Sequence, residues 1–590
     1  MRPAAPSTPS TPVHGTGTLL AAVGVLTLLY GVVYGRHAAG LGLVTDDWGH
    51  LHDAVAGYSF AGLLHTWPMD YRPFEMAPWI LAYAVFGHAL TWYYGLLFAV
   101  EYLTAVVLLV LVRTLSGSAL LGLAVAALWA VYPADNAVFW LTSFAYRTGA
   151  LFLVLALALL LLPHRRTGGI AYGSAVLCCL LCLLSNEIYL GLASALPLVA
   201  AWTARDHALS ARVGRAGPFV LTLGAYLTYR LWIGPHVLLL PDFKAGNYAL
   251  TVPHAWDMLT TGVHVVVTSA WRDAADRVLS GLPRLAPLRQ ALASTEVLLG
   301  LGLVGLALAG VTWLLQAVGE WGFWARRYAS IRMGARVLGA GAVASVGGYL
   351  PLALTVDAPT LDGLSSRVNA AAALGAAAFM AGALWVLLQW ALPRSMARTV
   401  FLISMALFLA LGLARKEEDA TSATAAWAAQ RQIWQAVLTA APAQRPATFV
   451  LLVPRDRASS AILNTLTPWG VNSALKLLYF DPHNDLSVQG DVLPLSDWWR
   501  TCRLRSAAVR PWLRVPSLRF LQGGLQMRVL HQFVPYARVL ILRYEVHGGG
   551  RFEIVHGRFH LPWGCSAVSS PERIIPATTA RASWRDMVGK

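Results

Sequence analysis

Long apolar runs are the feature that most constrains how this chain can fold. A helix that crosses a bilayer needs roughly 20 mostly apolar residues. Lipid offers the backbone no hydrogen-bond partners, so such runs become helices. We identify eleven of them: Thr18–Val33, Thr91–Val112, Ala119–Tyr132, Tyr146–Leu162, Ile170–Leu184, Ile188–Trp202, Pro218–Trp232, Val297–Ala317, Val337–Leu354, Asn369–Leu392 and Val400–Leu413. They predict a polytopic α-helical membrane protein with about eleven transmembrane helices.

The composition excludes other classes of protein. Of the 590 residues, 57% are hydrophobic and only 13% are charged, whereas a soluble domain usually carries about 25% charged residues. A soluble chain of this length would need about four domains, each with a polar surface. The 11% aromatic content and the long apolar runs also exclude a disordered chain.

Loop charges predict the orientation of the helices. Basic residues collect in the loops that a cytoplasmic N-terminus places inside: Arg113, Arg165, Arg166, Arg205, Arg212, Arg215, Arg326, Arg327, Arg332, Arg336, Arg394 and Arg398. The connections predicted to lie outside carry acidic residues: Asp46, Asp47, Asp135, Glu187, Asp357 and Asp362. This alternation follows the positive-inside rule. We therefore expect the N-terminus inside and the C-terminal domain outside the cytoplasm.

Hydropathy and charge divide the chain into three parts. Residues 1–16 are predicted to form a cytoplasmic tail, 17–414 the transmembrane domain and 415–590 a basic exterior domain. The first apolar run lacks a basic n-region and a small-residue cleavage site, so we interpret it as an uncleaved helix. The exterior loops 36–90 and 234–296 are too long for simple links. We expect both to lie along the membrane surface and to wall off a cavity.

The exterior domain is predicted to be mixed α/β. A helix over Glu417–Thr439 leads out of the membrane, and the candidate strands are Thr448–Val453, Ala474–Phe480, Arg538–Tyr544 and Phe552–His560. The last two flank three glycines, which favour a hairpin turn. The positive charge of this domain either keeps it soluble or attracts anionic lipid head groups.

The five cysteines fall into two groups. Cys502 and Cys565 lie in the predicted exterior domain, where they can form a disulfide. Cys178, Cys179 and Cys182 lie within one apolar run. Packing as small, soft side chains is the favoured role of this second group, and metal binding is the alternative.

The segment from Thr45 to Asp53, just after the first apolar run, is the richest in chemically useful side chains. Asp46 and Asp47 are adjacent, and like charges raise each other's pKa. One of them could act as a general base or a metal ligand near neutral pH. The alternative is structural, since Thr45 or Asp46 can cap a helix whose first turn favours acids. His50 shares a helical face with Asp46, and it is either part of a cation site with both aspartates or a solvated loop histidine.

Several further polar residues fall on the predicted exterior side. They are Tyr71 and Arg72, Asp135, Arg147, Glu187 and Arg367. Arginines at an outer helix end are unexpected under the positive-inside preference, so they indicate a specific role. A bidentate guanidinium can bind a phosphate, and snorkelling beside lipid head groups is the alternative. Several arginines that converge with carboxylates favour a binding site.

These motifs, in this order, resemble the GT-C superfamily of polytopic glycosyltransferases, and most closely bacterial relatives of the transmembrane protein O-mannosyltransferases. The resemblance runs from the first helix to about Arg230 and, more weakly, to Asn369. It is carried by Asp46-Asp47, Tyr71-Arg72-Pro73, the segment Ala124–Arg147, and Ser185-Asn186-Glu187, where relatives carry Ser-Lys-Glu. Relatives often have a glutamate at the position of Asp135 or Asn136, and the C-terminal domain shows no repeating helical pattern.

The resemblance implies a mechanism and a set of site residues. An exterior glycan or protein acceptor would attack a polyprenyl-phosphate-linked sugar with inversion, in the bacterial cytoplasmic membrane. Asp46 or Asp47 would serve as the base, with Asp46 favoured, and a divalent cation at Asp46, Asp47 and His50 is an open question. Arg72, Arg147 and Arg367 would bind the donor phosphate, while Trp48, Tyr71, Asp135 and Glu187 would line the substrate pocket. We expect membrane lipid as a partner and no nucleic acid.

Two alternatives to a glycosyltransferase stay open. A lipid-linked saccharide transporter should place ionisable residues at mid-membrane depth and often contains repeats with broken helices, whereas here such residues collect at the predicted outer rim. An inactive relative could act as a scaffold through its C-terminal domain, although Asp46 and Asp47 are both present.

Overall fold

The computed structural model describes most of the chain up to residue 440 and short elements beyond it. The described residues are 14–55, 72–162, 168–205, 207–237, 251–279, 325–354, 359–361, 364–440, 449–454, 468–478, 489–492, 518–521, 524–527, 532–535, 539–545, 551–554, 557–560 and 566–569. Of the sequence predictions, Tyr71, the run Val297–Ala317, both C-terminal cysteines and the glycines 548–550 lie outside these residues.

The first 440 residues are helical wherever the structure describes regular elements. The α-helices are α1 (His14–Tyr30), α2 (Asp47–Val55), α3 (Ala77–Phe86), α4 (Leu90–Ser116), α5 (Ala119–Ala130), α6 (Phe144–Leu161), α7 (Gly168–Ser185), α8 (Leu190–Ala193), α9 (Leu196–Thr203), α10 (Leu209–Thr228), α11 (Val252–His264), α12 (Ala270–Leu279), α13 (Ala325–Tyr349), α14 (Ala370–Ala391) and α15 (Arg394–Ala440). Short 3₁₀ segments include Ala137–Phe139, Leu141–Ser143, Glu187–Tyr189 and Leu364–Asn369, and π-helical turns follow α1, α10 and α11.

Five of the described helical segments are long and apolar enough to cross a membrane, by length and composition: Gly17–Gly40, Leu90–Ser116, Leu141–Leu161, Ser366–Ala391 and Ser395–Ala440. Large apolar side chains on these and neighbouring helices are exposed, Leu28 by 73% and Leu198 by 72%. Lipid would cover such side chains, which supports an integral membrane protein. The number of eleven spans and their orientation stay predictions.

Glycines hold α13 and α14 in close contact. A Cβ atom on Gly341 would lie 2.2 Å from the backbone nitrogen of Phe379, and one on Gly375 would lie 2.2 Å from the backbone nitrogen of Ser345. A Cβ atom cannot lie so close to a backbone nitrogen. The absence of a side chain at each glycine therefore allows the backbone of the facing helix to approach. Small residues at helix interfaces serve this purpose in membranes, where close packing replaces the hydrophobic effect.

Side-chain hydrogen bonds of Asn369 fix the chain at the start of α14. The side-chain amide of Asn369 donates to the carbonyls of Ala134 and Thr360, at 2.8 and 2.7 Å, and its oxygen accepts from the hydroxyl of Tyr349 at 2.7 Å. Asn369 is fully buried, so these bonds satisfy an otherwise costly amide. They join the connection between α5 and α6 to the segment that carries Arg367.

The C-terminal third contains strands and one helix. The strands are β1 (Phe449–Pro454), β2 (Gln489–Val492), β3 (Leu518–Leu521), β4 (Gly524–Met527), β5 (Gln532–Pro535), β6 (Val539–Glu545), β7 (Arg551–Ile554), β8 (Gly557–His560) and β9 (Ser566–Ser569), and α16 spans Pro468–Leu478. One sheet has the order β2-β1-β6-β7, in which β1 pairs in parallel with β2 and β6. In the same sheet β7 pairs antiparallel with β6. An α/β domain that comprises all of residues 415–590 stays a prediction.

One predicted strand is a helix over most of its length. Residues 474–478 of the expected strand Ala474–Phe480 belong to α16. Val471, Ala474, Leu475 and Leu478 are buried, and their spacing is that of one helical face. A short apolar run does not by itself distinguish a strand from a buried helix. The helix predicted over Glu417–Thr439 is the extension of α15, which continues without a break from Arg394 to Ala440.

Candidate functional site

The turn before α2 directs the two adjacent aspartates to different environments. Thr45 has a φ of 51°, a left-handed conformation that is unusual for a β-branched residue. After this turn, Asp47 is fully buried, whereas the Asp46 side chain is 30% exposed. Thr45 Oγ1 is buried with no hydrogen-bond partner among the described residues, so the threonine is not a helix cap.

Asp47 is bound by backbone groups on both sides. Its Oδ2 accepts from the N–H of Val44 at 2.9 Å, and its Oδ1 accepts from the N–H of Thr142 at 2.7 Å. Burial raises the pKa of Asp47 to about 7, although both backbone hydrogen bonds act in the opposite direction. The carboxylate therefore fastens the start of α2 to the 3₁₀ segment before α6, which is a positioning role.

Asp46 faces an arginine from a distant part of the chain. Arg367 Nη1 lies 3.9 Å from Asp46 Oδ2, and the Arg367 side chain is 31% exposed. The guanidinium of Arg367 also lies over the ring of Tyr146, 5.8 Å from its centroid. A separation of 3.9 Å is too long for a direct hydrogen bond. The partly exposed carboxylate of Asp46 thus lies beside the guanidinium of Arg367, which can still donate hydrogen bonds to an anion.

Arg72 is held by carboxylates. Its Nε and Nη2 each donate to Glu187 at 2.6 Å, and its Nη1 lies 3.4 Å from Glu75. Arg230 adds a second cation 3.5 Å from Glu187. Burial alone would lower the pKa of Arg72, but Glu187 and Glu75 raise it well above its ordinary value. A bidentate pair of this kind is geometrically specific, and it links the turn before α3 to the 3₁₀ turn after α7.

His50 connects this charged group to Asp46. Its Nδ1 lies 3.1 Å from the Asp46 carbonyl, its Nε2 lies 3.4 Å from Glu75, and its ring stacks on Trp79 with centroids 5.3 Å apart. Burial alone would lower the pKa of His50, but the contacts with Glu75 outweigh it and raise the pKa to about 9. His50 thus lies between the backbone carbonyl of Asp46 and the carboxylate of Glu75, and it is not a solvated loop residue.

Arg147 has carboxylate partners and almost no exposure. Its Nη1 and Nη2 donate to Asp135 at 2.5 and 2.7 Å, and Glu101 lies 3.4 Å away. The side chains of Arg147, Asp135 and Glu101 are exposed by 5% or less. The ammonium of Lys416 donates to the backbone carbonyl of Asp135. This geometry favours a structural role for Arg147 and Asp135 over donor binding and pocket lining.

The predicted cation ligands do not converge on one point. Asp47 binds backbone N–H groups, and both ring nitrogens of His50 lie against oxygens of the protein. In the part of the chain that the structure describes, no three His, Cys, Asp or Glu side chains form a group able to hold a metal ion.

Trp48, which we expected in a substrate pocket, is fully buried. Its indole N–H donates to Oε1 of Gln430 at 2.9 Å, and its ring lies against Trp427 and Trp434, with centroids 6.2 and 5.6 Å away. Sequence reasoning missed Gln430 and both tryptophans, as it missed Glu75, Glu101, Arg230 and Lys416. Glu101 stands inside an apolar run, which could have marked it as a candidate. The spacing of three residues from Arg72 could have indicated Glu75.

Up to Ala440, the described residues thus combine membrane-length helices with charge pairs at Asp46, Arg72 and Arg367. No protein-family model and no curated protein matches the chain. Among solved structures, the chain is similar to ArnT from Cupriavidus metallidurans bound to undecaprenyl phosphate, with 13% identity over 81% of this chain and 90% of that one. The TM-score of 0.32 is too low to establish a common fold. The function must therefore be argued from the residues of the site.

Proposed function

We propose that the protein is a GT-C-type membrane glycosyltransferase, which moves a sugar from a polyprenyl-phosphate donor to an exterior glycan or protein acceptor. The observation that carries the proposal is the pairing of Asp46 with Arg367 at 3.9 Å, both about a third exposed. A base and an anion-binding cation side by side are the two groups that such a transfer requires. The sequence resemblance adds support, and the closer relation to transmembrane protein O-mannosyltransferases belongs to the proposal.

In the proposed step, Asp46 accepts the proton of the acceptor hydroxyl. The hydroxyl oxygen attacks the anomeric carbon and forms the new glycosidic bond. The bond from that carbon to the phosphate oxygen breaks, and the electron pair leaves with the lipid phosphate. Attack from the opposite face inverts the anomeric centre. Arg367 stabilises the charge on the departing phosphate, an effect that is large where water is scarce.

The other predicted site residues receive different roles in this scheme. Asp47 and Trp48 position Asp46 through their buried contacts. Arg72 and Glu187 occupy each other with two bonds of 2.6 Å, so we assign both to the scaffold of the site. Arg147 and Asp135 hold the buried core of the helices and do not contact substrate.

Turnover by the purified full-length chain in lipid tests the proposal, with a panel of polyprenyl-phosphate sugars and mixed glycan and peptide acceptors. We expect Asp46→Asn to abolish transfer. Asp53→Asn is the matched control, because Asp53 lies on α2, which begins directly after Asp46, and its side chain is 34% exposed. Full turnover by Asp46→Asn would reject Asp46 as the base. No turnover of any donor by the wild-type protein would reject the function.

A transporter of lipid-linked saccharides is the second candidate, and one observation favours it. Glu101 lies inside the apolar helix α4, and buried ionisable groups within spans often mark transport pathways. Transporters of this class should move a labelled donor across vesicle membranes without consuming it. Donor movement without transfer, unchanged in Asp46→Asn, would establish transport and exclude the proposed enzyme.

A further inference from the structure

We propose that a cleft between the ends of two apolar segments, Gly17–Gly40 and the first half of α15, binds the head group of a zwitterionic phospholipid of the phosphoethanolamine type. The cleft is a cavity of about 240 Å³. Its charged lining consists of Arg36, Lys416 and Glu417. This ligand is a bulk membrane lipid and not the sugar donor, and its binding does not depend on the proposed enzymatic function.

The environment of the buried Lys416 ammonium is the observation that carries the inference. Its side chain is buried, with the residue 2% exposed, and its ammonium donates to a neutral group, the backbone carbonyl of Asp135. The carboxylate of Asp135 is occupied by Arg147. Within the described ranges, no carboxylate oxygen lies within ion-pair distance of Lys416. Asp135 and Asp419 act on this ammonium from beyond ion-pair distance, and a lipid phosphate in the cavity would give the buried cation a direct anionic partner.

Arg36 provides a second donor for the same phosphate. Its side chain is 54% exposed, and its contacts with Glu417 and His37 use Nη2 and Nε. Nη1 can therefore donate to a phosphate oxygen, as guanidinium groups commonly do. Two cations on the wall of one cavity fit a phosphate better than either does alone.

Glu417 selects the zwitterionic head group over an anionic one. Its carboxylate forms an ion pair with Arg36, lies 3.1 Å from His37 Nε2, and is 44% exposed. A negative charge beside a phosphate site opposes a head group of net negative charge, whereas it attracts the ammonium of phosphoethanolamine. The primary ammonium would lie against Glu417 while the phosphate lies between Arg36 and Lys416.

The remaining walls suit an acyl chain. They are formed by Val32, Val33, Leu413 and Ala414, and Val32 is 53% exposed. The segment Gly31–Gly35 is a π-helical turn, a distortion that occurs often at functional sites. An apolar wall below a charged rim is the arrangement that a phospholipid requires.

Native mass spectrometry of the full chain tests the inference, with the protein exchanged from detergent into phosphatidylethanolamine, phosphatidylglycerol or a polyprenyl monophosphate. We expect phosphatidylethanolamine to be retained preferentially by the wild-type protein. Arg36→Gln should weaken its retention about tenfold, the effect of one lost charge-assisted contact. Glu417→Gln should remove the preference over phosphatidylglycerol while leaving phospholipid binding measurable.

The control pair is Arg272→Gln and Asp276→Asn, which breaks an ion pair outside the cavity whose arginine is 57% exposed. Neither control should change lipid retention. Ala414→Phe, at an exposed position, should fill the cavity and displace the lipid without removing any charge. It therefore keeps the test decisive if one of the charge variants fails to fold. Equal retention of both phospholipids by the wild-type protein would overturn the inference. Tighter binding of the polyprenyl phosphate would also overturn it, because the cleft would then be a donor site.

Discussion

The indole N–H of Trp48 donates to the side-chain oxygen of Gln430, 2.9 Å away, and so joins the candidate site to the long C-terminal helix α15. Both residues are fully buried. Trp48 follows directly after the two aspartates, while Gln430 lies far beyond the apolar part of α15. The position of Asp46 therefore depends on a helix that also leads to the C-terminal third of the chain.

Replacing Gln430 should impair the site through this contact. Gln430→Leu leaves the buried indole N–H of Trp48 without an acceptor, which should cost about 1–3 kcal/mol of stability. Donor turnover should fall several-fold as the start of α2 loosens. Gln432→Leu is the control, since Gln432 is exposed on the same helix. Thermal unfolding and donor turnover should be measured for both variants. Equal effects of Gln430→Leu and Gln432→Leu would show that the contact of Gln430 with Trp48 does not support the site.

Arg72 should matter for stability more than for catalysis. Arg72→Ala leaves Glu187 and Glu75 without their main cationic partner, and breaking a fully buried ion pair costs about 3–5 kcal/mol. The side chains of Arg72 and Glu187 are 21% and 17% exposed, so the loss should lie toward the lower limit of that range. Arg230, 3.5 Å from Glu187, should also keep the loss near this limit. Arg72→Lys retains the charge but not the two parallel bonds, so it should be intermediate in thermal unfolding.

Arg205→Ala provides the comparison for Arg72, because Arg205 is exposed and lies over the ring of Trp202. It should lower the unfolding temperature little. If Arg72→Ala unfolds like the wild-type protein while losing donor affinity, then Arg72 binds the donor phosphate and does not serve the scaffold.

The contact between α13 and α14 should tolerate no side chain at Gly341. Gly341→Leu would force the helices apart, and such overpacking costs about 1–3 kcal/mol or more. Gly339→Leu is a matched control on the same helix, because a Cβ at Gly339 meets nothing within 4 Å. Resistance to proteolysis and the unfolding temperature in detergent should fall for the first variant alone. Equal losses in both would show that the helix surface as a whole, and not the close contact, determines stability.

The sequence does not encode how the polar residues at the helix ends pair. Asp46, Arg72, Glu187 and Arg367 all lie at helix ends on one predicted side, and the structure links them through ion pairs and His50. The divergence of Asp46 from Asp47 depends on the left-handed turn at Thr45, which local sequence does not encode. The role of Arg147 depends on Glu101 from another helix, a contact that only tertiary packing creates.

The same limit applies to the fold. Apolar runs located the five described segments that are long enough to cross lipid, because that length leaves few alternatives. They did not reveal that α15 continues to Ala440, since its second half is polar enough to read as a separate helix. Nor did they reveal the buried Lys416, whose surroundings come from the π-helical turn after α1 and from the turn after α5.

His50 should make stability depend on pH. Its folded-state pKa of about 9 lies above the ordinary value of 6.5. Protonated His50 thus stabilises the folded protein fully below about pH 6.5, and this contribution is lost as the pH rises through about 9. The unfolding temperature of the wild-type protein, relative to that of His50→Gln, should therefore fall across this range.

His52 offers the matched control for His50. It lies two residues further along α2 and contacts Asp53 at 3.0 Å. His52→Gln should track the wild-type protein across the same pH range, because it leaves the contact of His50 with Glu75 intact. A wild-type and His50→Gln difference that stays constant from about pH 6 to 10 would mean that His50 does not gain its proton on folding. In that case Glu75 pairs with Arg72 alone, and His50 adds no charge to the group around Arg72.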